Sequence, residues 1–220
     1  MAPIKLYKCD GSPPVRAVLL TAKALGVHLV ECDINFFKGE HKTPEYLAMN
    51  PLHTVPTMDD NGKILCDSHA MMSYLVGKFA KDDSLYPKDL FQRALVDQKF
   101  AFDLGVLFPL LKRINFAYIS KEVTSLTPKM REDVGEAYDF LEKMLKGKEW
   151  IALDHVTLAD FCCYTSLTCL VYHVPIDPVA YPCLKRWFDR CRHLPLFASD
   201  AHQFEKLKDL MKAIGACKGA

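Results

Sequence analysis

No stretch of the 220 residues approaches the roughly 18 consecutive apolar side chains that a membrane-crossing helix needs, so nothing is expected to span a bilayer. An excess of charge of one sign is also missing. Lysine and arginine number 28 against 27 aspartates and glutamates, which excludes the basic field of a non-specific nucleic-acid binder. The opening residues Met1–Cys9 carry lysines at 5 and 8 and no apolar run of signal length, so a secretory route is not expected. Low-complexity segments and internal repeats are absent as well. None of the nine cysteines forms a C-x-x-C pair, and Cys162 and Cys163 are adjacent, which suits neither a zinc ligand pair nor a dithiol. No metal site is therefore expected. Nine is odd, so complete internal pairing is impossible, and the expectation is buried, reduced thiols in a cytoplasmic protein.

The first eighty residues alternate between strand-like and helix-like segments. Ile4–Tyr7 and Leu29–Ile34 read as strands. Between them Ser12-Pro13-Pro14 opens a helix carrying Val15, Val18, Leu19, Ala22 and Leu25 at helical spacing, closed by Gly26. A short helix around Pro44–Ala48 precedes Thr57–Asp60, Asn61-Gly62 and Lys63–Cys66, a hairpin whose Asn-Gly turn favours type I′. Ser68–Phe79 is a further helix, with Ala70, Met71, Tyr74 and Leu75 expected on one face. The polar run Lys81–Asp89 reads as a linker. Beyond it the pattern is helical: one long helix over Phe91–Tyr118 kinked at Pro109, then Pro128–Leu145. Thr157–Val171 follows, opened by the Thr157-x-x-Asp160 capping pattern, then Tyr181–His193 and Ala201–Ile214, with Gly215 after the last. The expected architecture is an α/β domain over residues 1–80, a linker at 81–89 and an all-helical domain over 90–220.

Three features of the first part can carry chemistry. Ser12 lies at the mouth of a helix directly after a strand, where the partial positive charge stabilises an anion and a hydroxyl can donate to a thiolate. A structural cap is the plainer alternative. Thr54-Val55-Pro56 precedes the hairpin; a cis Pro56 there would leave the Val55 backbone to pair with an extended peptide-like ligand. Asp67-Ser68-His69 stands between a strand and a helix, with Ser68 as the expected N-cap beside free N–H groups and Asp67 suited to an ammonium. His41 and His53 add donors on nearby loops.

Taken in order, Ser12-Pro-Pro-Val-Arg16, Asn50-Pro-Leu-His-Thr-Val-Pro56, Asp67-Ser-His-Ala70, Phe102-Asp-Leu-Gly-Val-Leu-Phe108 and Thr157-Leu-Ala-Asp160 resemble the insect cytosolic glutathione transferases, the epsilon class first and the delta class next. The resemblance covers essentially the whole chain. It implies a thioredoxin-like N-terminal domain joined to an all-helical C-terminal domain, a homodimer, and conjugation of the glutathione thiolate to small hydrophobic electrophiles in detoxification. Peroxidase or dehydrochlorinase side activity is also within its scope. Glutathione is a cosubstrate and no cofactor is implied. By the same resemblance Ser12 is the catalytic serine, His53 and Val55 hold the cysteinyl part of glutathione, Pro56 matches the family's cis-proline, and Thr54 and Pro56 count among the glutathione-binding residues. Asp67 and Ser68 belong to the γ-glutamyl end, His69 is also a glutathione-binding residue, and His41 lies near the glycyl carboxylate. Lys112 stands where arginine often faces the site, and Leu111, Phe108 and Phe116 fall at the electrophile pocket.

The residues agree with that implication. Glutathione carries two carboxylates, one ammonium and one thiol, which a helix-capping serine, histidines, free N–H groups and an acid would meet. Asp67 departs from the more frequent glutamate, and Lys112 lacks the planar fork of arginine. Helix core is the alternative for Phe116. Two other functions compete. Cys9-Asp-Gly-Ser12 has the form of a C-x-x-S redox motif, pointing to a thiol–disulfide oxidoreductase. The aromatic and methionine content of the helical part would also suit a carrier of apolar ligands.

Overall fold

The computed structural model describes residues 3–198 and 200–213. Strand β1 (Lys5–Lys8) leads through helix α1 (Pro13–Ala24) to β2 (Val30–Asp33), which pairs parallel with β1. Helix α2 (Pro44–Met49) crosses to β3 (Thr57–Asp60), antiparallel to both β1 and β4 (Lys63–Leu65). The sheet order is β2-β1-β3-β4. Asn61 and Gly62 both have positive φ, 54° and 85°, as a type I′ hairpin requires. Helix α3 (Ser68–Phe79) completes a thioredoxin-like unit. Its buried face is Ser68, His69, Met71, Met72, Leu75 and Val76. The expected face is corrected at Ala70, which is exposed, because α1 covers the neighbouring stripe one position away.

Beyond α3 the described residues form no strand. Helices α4 (Leu90–Phe102) and α5 (Phe108–Ile119) make one run, joined by the five-residue π-helical turn Asp103–Leu107. The irregularity expected at Pro109 lies just ahead of it, in this π-helical turn. Proline has no N–H to donate and crowds the carbonyl four residues back, so the ladder opens ahead of it. Helix α6 (Pro128–Leu145) is capped by Thr127, whose Oγ1 accepts the Met130 N–H at 3.1 Å. Helix α7 (Leu158–His173) is buried on all sides save at Val171, which explains its lack of a polar face. At its start the Asp160 carboxylate accepts from the Thr157 and Ile151 N–H groups and from the Trp187 indole, at 2.9, 3.1 and 2.9 Å.

Helices α8 (Pro182–His193), α9 (Pro195–Ala198) and α10 (Asp200–Ala213) finish the described chain; α9 has no counterpart in the sequence reading. Ile214 and Gly215, expected to close the last helix, lie outside the described residues. Helix α1 packs between α3 and α7, so the two domains share a core. Helix α10 is tied back to the start of the chain. Arg16, fully buried, donates from Nε to Asp200 at 2.7 Å, and its guanidinium lies over the Phe204 ring at 5.3 Å. The Gly11 N–H reaches Gln203 Oε1 at 3.3 Å, and a Cβ at Gly11 would stand 2.9 Å from the Leu207 backbone.

All eight described cysteines are unpaired. Cys162, Cys163, Cys169 and Cys191 are buried, as expected. Cys9, Cys32, Cys66 and Cys183 are only half-buried, because they sit on loops, the β2 edge and the start of α8. Cys217 lies outside the described residues.

Candidate active site

Ser12 is the N-cap of α1, half-buried, and its hydroxyl makes no capping bond. A capping oxygen accepts from the second or third helical N–H; the second position here is Pro14, which has none, and the third is not bonded by Ser12. Pro13 and Pro14 remove two of the donors a helix start normally offers. What remains for an anion is the uncommitted hydroxyl, the third-position amide and the helix dipole.

The segment from Asn50 to Thr57 is held from beneath. The Asn50 amide, fully buried, donates to the Thr54 carbonyl at 3.0 Å and to Thr57 Oγ1 at 2.8 Å, while Tyr46 OH donates to the same carbonyl at 2.6 Å. The Val55–Pro56 bond is cis, and His53 has a φ of 47°. With its carbonyl saturated, Thr54 is fixed, and His53, Val55 and Pro56 turn toward a common cleft. His41 stacks on Phe36 with ring centres 4.2 Å apart, and its Nδ1 has no partner among the described residues. Burial, Lys42 and His53 hold its pKa below the ordinary value, so it is neutral near pH 7.

Helix α3 has the expected bounds but a different cap. Asp67, not Ser68, is the N-cap, and its Oδ1 accepts the Ala70 N–H at 2.9 Å. A carboxylate is the stronger acceptor for an N-terminal amide and complements the dipole. Ser68 and His69 thereby become the first two helical residues, whose N–H groups lack intrahelical acceptors. The second oxygen of Asp67 is left for a cation. Behind them His69 Nε2 meets Asp103 Oδ2 at 3.0 Å. Asp103 is delivered there by the π-helical turn, and its other oxygen, Oδ1, is buried without a partner among the described residues.

These elements surround a cleft of about 840 Å³. Ser12, His41, His53, Thr54, Val55, Pro56, Asp67, Ser68 and His69 line one side; Leu104, Phe108, Lys112 and Phe116 line the other. Phe116 is 56% exposed, which excludes the core alternative, and Lys112 Nζ lies 5.7 Å from its ring centre. Leu111 is the residue that does not join them. It is 1% exposed and absent from the cleft wall, because one step along α5 turns it from the Lys112 face into the core with Leu107 and Ile114. Cys9 does not line the cleft either. Burial and Asp10 push its thiol pKa up, the opposite of what an attacking redox cysteine needs.

Family models for the N-terminal and C-terminal domains of glutathione S-transferases match residues 6–83 and 107–195. The chain belongs to the glutathione S-transferase family. It is 43% identical over 194 residues to glutathione S-transferase 1 of Manduca sexta, covering 87% of this chain and 89% of that one. An epsilon-class glutathione S-transferase structure from the housefly, Musca domestica, is 42% identical with a TM-score of 0.92, over 96% of this chain and 98% of the other. A glutathione transferase homologue from Drosophila mojavensis, solved with bound glutathione, is 39% identical with a TM-score of 0.92, over 100% and 99% of the two chains.

The sequence reading of this transferase passed over Asn50, Tyr46 and Asp103. Asn50 and Asp103 both lie within the family-like motifs, and an asparagine before proline is the signal that could have marked Asn50 as a turn anchor. Asp103 gives no such signal: only the π-helical turn aims it at His69.

Proposed function

We propose that this glutathione S-transferase activates glutathione at Ser12 and conjugates its thiolate to small hydrophobic electrophiles, in a detoxifying role. The observation that carries the reading is the uncommitted Ser12 hydroxyl at a helix start whose neighbouring donors are removed by two prolines. The hydroxyl donates to the thiolate and forms no covalent bond. His53 and the Val55 backbone hold the cysteinyl part, beside Thr54 and Pro56. Asp67 takes the ammonium, and the Ser68 and His69 N–H groups take the γ-glutamyl carboxylate. His41 and Lys112 meet the glycyl end and the outer edge of the cleft. The electrophile lies against Phe108 and Phe116, where removal from water strengthens each contact to the thiolate. Attack forms the carbon–sulfur bond and expels the leaving group, or adds across an activated double bond; the thiol proton leaves at the activation step.

The division into residues 1–80, 81–89 and 90–220 is part of this reading, since the cleft has one wall from each large segment. Leu90 and Phe91, exposed at the start of α4, support a homodimer whose partner covers them. The unpaired thiols support a cytoplasmic setting, and no helix among the described residues is long and apolar enough to cross a membrane.

Turnover of a panel of electrophiles, chlorodinitrobenzene first, tests the reading. Glutathione-dependent conjugation that survives Cys9→Ser and collapses in Ser12→Ala is the expected result. Tight binding of apolar ligands without turnover would favour a carrier, and loss of activity in Cys9→Ser would favour thiol–disulfide exchange.

A further inference from the structure

Behind the cleft wall three residues from distant parts of the chain converge: His69 on α3, Asp103 on the π-helical turn and Cys162 on α7. One ligand atom from each lies within 4.8 Å of the others, and all three residues are buried. Sequence spacing could not reveal the group, since no two members share an element.

We propose that His69, Asp103 and Cys162 form a binding site for a thiophilic divalent cation, zinc or its analogue cadmium, entered from the cleft. The donor set is one imidazole, one carboxylate and one thiolate, the types zinc prefers, and its two negative charges neutralise the ion. Asp103 supplies the strongest observation. It is 3% exposed, yet its Oδ1 is unpartnered among the described residues, so a buried carboxylate oxygen stands ready for a ligand. The imidazole is oriented already, held at 3.0 Å from the carboxylate. Tetrahedral zinc, with bonds of about 2.0–2.3 Å, spaces its ligands by about 3.3–3.7 Å. Small side-chain rotations therefore suffice.

Access and charge fit as well. His69 and Asp103 line the cleft while Cys162 lies behind them, so an entering ion meets imidazole and carboxylate first. In the apo protein the Cys162 thiol donates to the Ala159 carbonyl at 3.3 Å, and binding would release that proton to solvent. The ion is no cofactor here. It would replace the contact between His69 and Asp103 by bonds to metal at the start of α3. This assignment does not depend on the catalytic reading.

Cadmium titration of the reduced, full-length protein tests it, followed by the ultraviolet thiolate-to-cadmium charge-transfer band. One equivalent should bind with that band. Cys162→Ala should abolish the band for that equivalent, and Asp103→Asn should weaken binding at least about tenfold. Cys191→Ala, which removes a buried thiol outside the group, should change neither. Melting without metal reports whether each variant is folded. If Cys162→Ala does not fold, Asp103→Asn and His69→Asn decide the matter. The proposal is overturned if a folded Cys162→Ala keeps the band and stoichiometry, or if Asp103→Asn and His69→Asn both bind cadmium like the wild type.

Discussion

The side-chain amide of Asn50 lies 3.0 Å from the Thr54 carbonyl, and the bond anchors the loop that presents His53, Val55 and Pro56 to the cleft. Asn50 is fully buried, and its Oδ1 also accepts the Leu52 N–H at 3.0 Å, so the one side chain closes the loop at both ends. Asn50→Ala strips these bonds while leaving the cleft side chains in place. It should cost about 2 kcal/mol of stability, measured by denaturant unfolding. It should also raise the KM for glutathione roughly tenfold, with kcat affected less, since a misplaced loop weakens binding before it alters the reacting atoms.

Ser12→Ala addresses the opposite side of that division. Removal of one donor to a developing or bound anion costs about 100-fold in kcat. Binding of glutathione, which rests on contacts elsewhere in the cleft, should be nearly unchanged. The thiol pKa of bound glutathione should rise toward the free value of about 8.5, so the residual rate should climb with pH where the wild type is already flat. Ultraviolet absorbance of the bound thiolate across pH measures the shift directly.

His41 gives a pH dependence of binding. Its pKa is lowered in the free protein by burial and by Lys42 and His53. A carboxylate arriving beside it favours the charged ring and raises that pKa. Binding therefore takes up a proton in the interval between the two values, and glutathione affinity should strengthen as pH falls from 7.5 through that interval. Calorimetry in two buffers of different ionisation enthalpy should show proton uptake, and His41→Asn should abolish it.

His173 predicts an acid limit on the fold. The ring is stacked on Tyr118, its Nε2 meets Asn115 Oδ1 at 3.0 Å, and burial holds its pKa down to about 4. A group whose folded pKa lies below its unfolded value is neutral in both states at high pH and costs nothing there. As pH falls below the unfolded value of about 6.5 the denatured chain takes up the proton first. The loss grows until about pH 4, reaching on the order of 3 kcal/mol. Thermal midpoints from pH 7.5 to 4.5 should fall along this curve, and His173→Gln should flatten it.

The regions most legible in the sequence were those governed by local chemistry. The Asn61-Gly62 turn, the Thr157–Asp160 cap and the bounds of α6 follow from side chains that act on their own neighbours. So does Ser12 at the mouth of α1. Asp67 misled by one residue because serine and aspartate both cap helices and stood side by side. Ala70 misled because a face assigned by periodicity shifts when packing decides which stripe is covered, and Leu111, placed at the pocket by resemblance, is turned into the core by its phase on α5. Asp103 stood in the Phe102–Phe108 motif, but its contact could not be read there, since His69 comes from another element.

The π-helical turn at Asp103–Leu107 adds to a run that would otherwise keep one helical phase from Leu90 to Ile119. Each residue inserted into or removed from a helix turns everything beyond it by about 100°. Excision of Gly105 alone would therefore rotate α5 and carry Lys112 and Phe116 off the cleft wall toward the packed interior. The chemistry of that wall is set by a count of residues as much as by their identity. Length variation at this one turn would give related chains a way to exchange the lining of the cleft while leaving every side chain of α5 untouched.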